Sequence, residues 1–395
     1  MPLSFRPLFL ALATTLAAPA AAQIVPCGGS FSSFLNNVST EAQSRGFTAA
    51  ETRRFLASAA QDPAVIRADR AQGIFQRPFV DFSRRLISQN RIDAGKRNAQ
   101  RWDSVFDRIE RDYGVNRGVL LAFWAFETDF GAVQGTFNTV NALLTLSHDC
   151  RRPELFQPQV FAAMELAREG AIDPATTTGA WAGEIGMVQM LPEDIIDYGT
   201  DGDGDGAVSL KTSPPDALIS GGRMLQGLGW RANEPWLVEV NVPNDFDWSQ
   251  SGLETKKRVS EWARMGVEGR AGALPSRSLP ASLLLPQGRN GPAFLAYPNF
   301  DVYFEWNQSF VYVTTAAYFA TRLEGAPVFD AGNPPGALSE AEMKSLQQKL
   351  SGRGYDVGGI DGILGARTRA AVQAEQGRLG LPADAWPTRE LLNRL

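Results

Sequence analysis

The chain has 395 residues and a net charge of −5, a length that fits two or three domains and a charge balance that excludes the strongly basic surface nucleic-acid binding needs. Hydrophobic residues make up 44%, so an ordinary globular core can form. An acidic chain also gains no general attraction to anionic membranes, and any polymer it binds must be read by shape and hydrogen bonding.

In chain order, residues 1–22 read as a secretory signal peptide. Arg6 supplies a positive n-region, Leu8 to Ala18 an apolar stretch too short to span a bilayer, and Ala20, Ala21 and Ala22 the small residues before a cut at Gln23. Cys27 follows Pro26 and does not fit a lipoprotein cleavage site, so the mature protein is expected to be exported, periplasmic and without a transmembrane anchor. Cys27 and Cys150 are the only cysteines. An oxidising compartment suggests a disulfide between them, with two free buried thiols as the alternative.

Apolar residues at helical spacing predict helices over 40–60, 98–113, 117–130, 157–170, 216–228 and 308–323. A Gly/Asp-rich loop occupies 200–215, and 273–305 is expected to include short strands. Residues 324–337 have linker composition, and 338–395 form a separate unit. His148 is the only histidine. That excludes zinc sites built on several imidazoles and most Ser-His-Asp or Cys-His nucleophile systems. Chemistry must rest on carboxylates, hydroxyls or a hard metal.

One carboxylate has a suggestive place. In NRGVLLAFWAFETDFG, Asn116 is a candidate helix cap and Gly131 a candidate terminator. Leu120, Phe123, Trp124 and Glu127 fall at i, i+3, i+4 and i+7 and share a face. Desolvation and the negative end of the helix dipole both raise the pKa of an acid so placed. An acid still protonated near neutral pH can give a proton to a glycosidic oxygen. The alternative is a structural Glu paired with Arg117 or Arg152.

AFWAFETDFG resembles the catalytic segment of the lytic murein transglycosylase B family. Further blocks resemble that family in its order: TVNALLTLSHDCRR, AWAGEIGMVQMLP, YGTDGDGDG, SPPDAL, LGW and NFDVYFEWNQS. The resemblance spans 28–323 and implies a lysozyme-like, mainly α catalytic domain with a small β-containing part. It implies that Glu127 alone first protonates the bond between N-acetylmuramic acid and N-acetylglucosamine, then takes the proton of the muramoyl 6-hydroxyl, leaving a 1,6-anhydromuramoyl end. No cofactor is implied for the reaction. Gln189 and Asn307 match sugar-binding positions, and Gly183 and Gly186 would allow close backbone approach to the glycan. Relatives commonly carry Ser where this chain has Ala180, and Ala where it has Glu184. Glu184 is read as a solvated side chain on a turn. If it instead faced the scissile bond, hydrolysis by a muramidase would become the alternative; a non-catalytic wall-binding scaffold is a further one.

Asp201, Asp203, Asp205 and Gly206 take the first, third, fifth and sixth places of an EF-hand-like calcium loop, with the Ala207 carbonyl at the seventh. Thr212 stands where a bidentate carboxylate belongs, and the resemblance makes Asp216 the candidate closing ligand. Residues 338–395 resemble a three-helix peptidoglycan-binding domain through Leu346-Gln347, Leu350, Gly354-Tyr355, Asp361-Gly362, Leu364-Gly365, Thr368 and Ala371. Glu375-Gln376 stands where that family has an aromatic-Gln pair. Peptidoglycan glycan strands are the expected partner.

Overall fold

The computed structural model describes residues 24–71 and 77–395; the expected signal peptide lies outside the described residues. Helices dominate, and local chemistry sets their limits. The helix expected over 40–60 is two, Phe31–Ser44 and Ala49–Leu56. Gly46 takes φ +90° between them, and Thr48 opens the second with a capping box to Glu51. Likewise 98–113 divides into Gln89–Arg101 and Asp103–Tyr113.

At the centre lies the helix Arg117–Thr128, with Gly118 to Ala125 all buried. A helix that is apolar all round must be enclosed. The helices Phe310–Leu323, Gln89–Arg101, Asp103–Tyr113 and Pro214–Gly227 surround it. Asn116 sits at its cap position without a side-chain bond, which corrects the expected cap. Glu110 and Glu324 serve instead, accepting from Arg117 N–H at 3.0 Å and Gly118 N–H at 2.8 Å, and negative charge suits a helix amino terminus. At the other end Asp129, Phe130 and Gly131 all take positive φ. The chain therefore leaves the helix within one turn of Glu127.

Two short antiparallel strands follow, β1 (Phe137–Asn138) and β2 (Thr178–Gly179), paired Phe137 to Gly179. They anchor the start of the 180–190 segment. A five-stranded antiparallel sheet comprises β3 (Leu237–Asn241), β4 (Lys256–Arg258), β5 (Glu268–Gly269), β6 (Pro280–Leu284) and β7 (Ala293–Ala296), in the order β4-β6-β7-β3-β5. Its alternation is read by two cores. Phe294 and Ala296 join the main core, while Ala293 and Leu295 join a smaller one with Trp262 and Tyr297. The strands expected within 273–305 are thus present, but the same stretch ends in a helix, Pro298–Trp306.

The carboxy-terminal unit has three helices, Glu340–Gly352, Ala366–Arg378 and Arg389–Arg394, around Leu346, Leu350, Val372 and Leu391. It is docked against the rest of the chain. The linker itself is pinned: Phe329 is buried, and Asp330 N–H donates to Glu239 at 2.8 Å. Arg369 lies between the two bodies, donating to the carbonyl of Pro286 at 2.7 Å and stacking over Phe310 at 4.4 Å. Burial lowers its pKa to about 9. Gln373 donates to the carbonyl of Ser251 at 2.8 Å. Glu375 is buried too, accepting from Tyr355 at 3.0 Å and pairing with Arg378 at 2.7 Å; the departure at 375–376 supports the module's own fold.

A disulfide joins Cys27 to Cys150. His148 packs edge-on to Phe31 and Phe34, a structural use of the lone imidazole. No helix among the described residues is long and apolar enough to cross a membrane.

Candidate active site

Glu127 projects from the last turn of its helix into a cavity of about 710 Å³. Trp306 and Tyr312 lie beside it. The Tyr312 hydroxyl donates to Glu127 Oε1 at 2.5 Å and Trp306 Nε1 donates to the same oxygen at 3.3 Å. Trp306 is fixed by stacking on Phe123 at 4.2 Å, one turn back on the helix that carries the acid. Burial raises the Glu127 pKa to about 7, with the nearby Glu184 carboxylate adding to the rise and the two donors opposing it. Tyr312 is itself pushed well above the usual phenol value by burial and by Glu127, so it remains a donor. Half-buried at the cavity wall, Glu127 is an acid poised near neutrality and open to a ligand.

Asn307 lines the same cavity. Its Oδ1 accepts from Ser309 N–H at 2.9 Å, which leaves the amide nitrogen to donate. Gln189 is placed differently. It sits at φ +54° in a tight turn, and its Nε2 donates to the carbonyl of Gly186 at 2.7 Å, so it holds the turn behind the wall. The two glycines also have another reason. A Cβ on Gly183 would meet Leu143 at 2.3 Å and one on Gly186 would meet Leu210 at 2.6 Å, both at positive φ. Leu143 and Leu210 fill the space a side chain would need, so packing alone already requires glycine at both positions. Glu184 is not solvated: it lines the cavity and its Oε2 is buried. Desolvation raises its pKa.

The acidic loop forms as a compact turn. Carboxylate oxygens of Asp201, Asp203 and Asp205 all lie within 4.8 Å of one another. Asp201 accepts from Gly204 N–H at 2.7 Å and Gly206 N–H at 2.8 Å, and these backbone donors lower its pKa. Ala207 N–H donates to Asp205 at 2.9 Å. Asp216 does not join them. Fully buried, it accepts from Gly202 N–H at 2.8 Å with one oxygen and from Ser209 N–H at 2.7 Å with the other. Through these bonds Asp216 anchors the loop.

Nothing in the sequence marks Trp306, Tyr312 or Trp181 as part of the site, and it offers Arg152, which lines the cavity, only as a pairing partner for Glu127. Ile363, Leu364 and Gly365, by which the carboxy-terminal module reaches that wall, are unmarked as well. Trp306 directly precedes the asparagine that the reading singled out. Tyr312 looked like one more apolar position of its helix.

The chain matches the family model described as "Transglycosylase SLT domain" over residues 30–321 and "Putative peptidoglycan binding domain" over 339–395. It is 26% identical over 237 residues to "Membrane-bound lytic murein transglycosylase B" of Escherichia coli (strain K12), covering 58% of this chain and 63% of that relative. Among solved structures it resembles SltB3 from Pseudomonas aeruginosa in complex with NAG-anhNAM-pentapeptide, at 35% identity and TM-score 0.84 over 93% of this chain and 99% of that one. Lytic transglycosylase SLT35 of Escherichia coli, in complex with calcium, shares the fold at 24% identity and TM-score 0.65 over 78% of this chain and 98% of that one.

Proposed function

This chain belongs to the transglycosylase SLT domain family and carries a peptidoglycan-binding domain behind it, and from that premise we propose that it is a periplasmic lytic transglycosylase acting on peptidoglycan glycan strands. The bond cut joins N-acetylmuramic acid C1 to the O4 of N-acetylglucosamine. The observation that carries the reading is Glu127, raised by burial to about 7 in an open, aromatic-walled cavity. Protonated, it gives its proton to the glycosidic oxygen as the C1–O4 bond breaks. The carboxylate left behind, steadied by the donors Tyr312 and Trp306, takes the proton of the muramoyl 6-hydroxyl as O6 bonds to C1. A 1,6-anhydromuramoyl end results and no water is consumed. One carboxyl group serves both transfers, unlike the paired carboxylates of glycoside hydrolases. The relative SltB3 holding an anhydro-sugar peptide supports the product.

Asn307 is the proposed sugar-binding amide, while Gln189, Gly183 and Gly186 shape the wall. Domain limits of 28–323 and 338–395 go with this reading. For the acidic loop we propose a structural calcium held by Asp201, Asp203 and Asp205 with the Ala207 carbonyl. Three carboxylates this close repel unless a hard cation joins them. The cation would fix the loop and takes no part in the reaction.

A second reading has one observation in its favour: Glu184 shares the cavity and could serve a water molecule, making the enzyme a hydrolytic muramidase. Mass analysis of digested sacculi separates the two. Anhydromuramoyl ends are expected; reducing muramic acid would overturn the transglycosylase reading.

A further inference from the structure

Arg369 is placed at a cost. It sits on the helix Ala366–Arg378 of the carboxy-terminal module, and its Nε is buried without a hydrogen-bond partner. Burial works against its charge, and the nearby Asp384 offsets that only in part. The Asp384 carboxylate instead accepts from Gln376 and from the N–H groups of Trp386 and Arg289. An apolar side chain of similar volume would hold two packed bodies together as well or better. Stability alone therefore does not account for a cation here.

What the cation touches is the segment that serves Glu127. Its guanidinium lies 4.4 Å from the centre of the Phe310 ring and donates to the carbonyl of Pro286 at 2.7 Å. The stretch holding Pro286 is itself fixed, since the buried Gln287 accepts from Val80 N–H at 2.8 Å. Phe310 opens the helix Phe310–Leu323 and lines the Glu127 cavity. Trp306 stands just before it in the chain and Tyr312 just after, and both donate to Glu127 Oε1. Between the two donors the chain turns: the helix Pro298–Trp306 ends, Asn307 is extended, and Ser309 caps the next helix. We infer that Arg369 is a positioning residue for the reaction: held on the Pro286 carbonyl, it fixes Phe310, and with it the turn that brings Trp306 and Tyr312 together on Glu127. The module then tunes the acid, in addition to any hold it has on the wall. The inference rests on the reading of Glu127 as proton donor, and adds how its two hydrogen-bond partners are kept in place.

The test is the pH profile of the full chain on a soluble tetrasaccharide of alternating N-acetylglucosamine and N-acetylmuramic acid, so that binding to whole wall plays no part. Wild-type kcat/KM is expected to decline through about pH 7. Tyr312 and Trp306 hold the Glu127 pKa down, so loosening them raises it. Arg369→Ala should move the decline upward by about one pH unit, the scale of one weakened charge-assisted hydrogen bond. On the acid plateau kcat should fall about tenfold, because the carboxylate left behind is less well steadied, with KM within about twofold of wild type. Glu184, Arg91 and Arg152, the other charged groups acting on Glu127, Tyr312 or each other at the site, are unchanged in this variant. Arg369→Met fills the same space and should behave alike, which keeps the test decisive where thermal melts show the alanine variant misfolded. Gln373→Ala, one turn along the same helix, removes the docking bond to Ser251 but not the contact of Arg369 with Phe310, and should keep the wild-type profile. A wild-type profile and kcat in both Arg369 variants would overturn the inference, and so would an equal shift in Gln373→Ala, the mark of docking in general. Either result leaves the reading of Glu127 standing. That reading falls only if Glu127→Gln keeps about a tenth of wild-type turnover, and this inference falls with it.

Discussion

Glu127 and the aspartates of the loop at 201–205 are the same chemical group in opposite surroundings. Glu127 lies among Trp306, Tyr312 and Phe126, and burial outweighs its two neutral donors, lifting its pKa to about 7. Asp201 is held by the backbone N–H groups of Gly204, Asp205 and Gly206 at the surface, and its pKa falls. One region keeps a proton and can lend it; the other sheds protons and gathers charge. Hydrogen bonds alone do not decide the outcome, since both acids have them. Desolvation does, and it follows from where the helix Arg117–Thr128 stops.

The largest effect should come from taking the lent proton away. Glu127→Gln preserves size and can still accept from Tyr312 and Trp306, but cannot give and retake a proton. Turnover on sacculi should fall at least 10²–10⁴-fold, roughly 3–5 kcal/mol of barrier, while glycan binding changes little. Wild-type kcat/KM should decline as pH rises through about 7, where Glu127 loses its proton. A Glu127→Gln enzyme with a tenth of wild-type turnover would mean that this buried acid is not the proton donor.

The charged region is tested through its anchor. Asp216→Ala would strand the N–H groups of Gly202, Asp203 and Ser209, all now satisfied by that carboxylate. The expected loss is roughly 3 kcal/mol of stability by urea unfolding. A loss below about 1 kcal/mol would show these donors regaining water, and the loop would be looser than its hydrogen bonds imply.

Calcium sharpens the contrast further. A cation bound only by the folded chain should raise the melting temperature, by about 2.7 kcal/mol of stabilisation at a hundredfold excess over Kd. The Asp203→Ala, Asp205→Ala double variant should lose the response. An unchanged wild-type melting temperature with and without chelator would leave the loop as a self-satisfied acidic turn.

Much of this was legible in the sequence. Apolar spacing put Glu127 on the buried face of a helix, the loop's aspartates stood at ligand spacing, and two cysteines met as expected. What was hidden is tertiary. Tyr312 and Trp306 reach Glu127 from 185 and 179 residues away, and nothing local distinguishes Tyr312 from a core position. The anchoring by Asp216 was hidden too, because spacing records distance along the chain and not which donors a folded carboxylate finds. Glu184 looked solvated because turns usually are, whereas this turn forms the cavity wall. Nothing in the sequence marks Arg369 as the residue between the two bodies, where it lies over Phe310.

The smallest effect is thermodynamic, and it tests the comparison at its root. Glu127 has a folded pKa of about 7 against an ordinary value of 4.5. A carboxyl raised on folding contributes stability that is full below its unfolded pKa and is lost as pH rises through the folded one. Ionised Glu127 is thus a cost above neutrality, and a Gln in its place escapes that cost. Wild type and Glu127→Gln should melt alike at pH 4, diverge between about 4.5 and 7, and stay apart above that, with the variant the more stable. A full shift of this size corresponds to about 3 kcal/mol; the contact of Glu127 with the open cavity brings the expectation to roughly 1–2 kcal/mol after solvent screening. Paired thermal melts at pH 4 and pH 8 suffice. A difference that is the same at both would mean the acid pays nothing for its charge, and the contrast between the two regions would lose its physical cause.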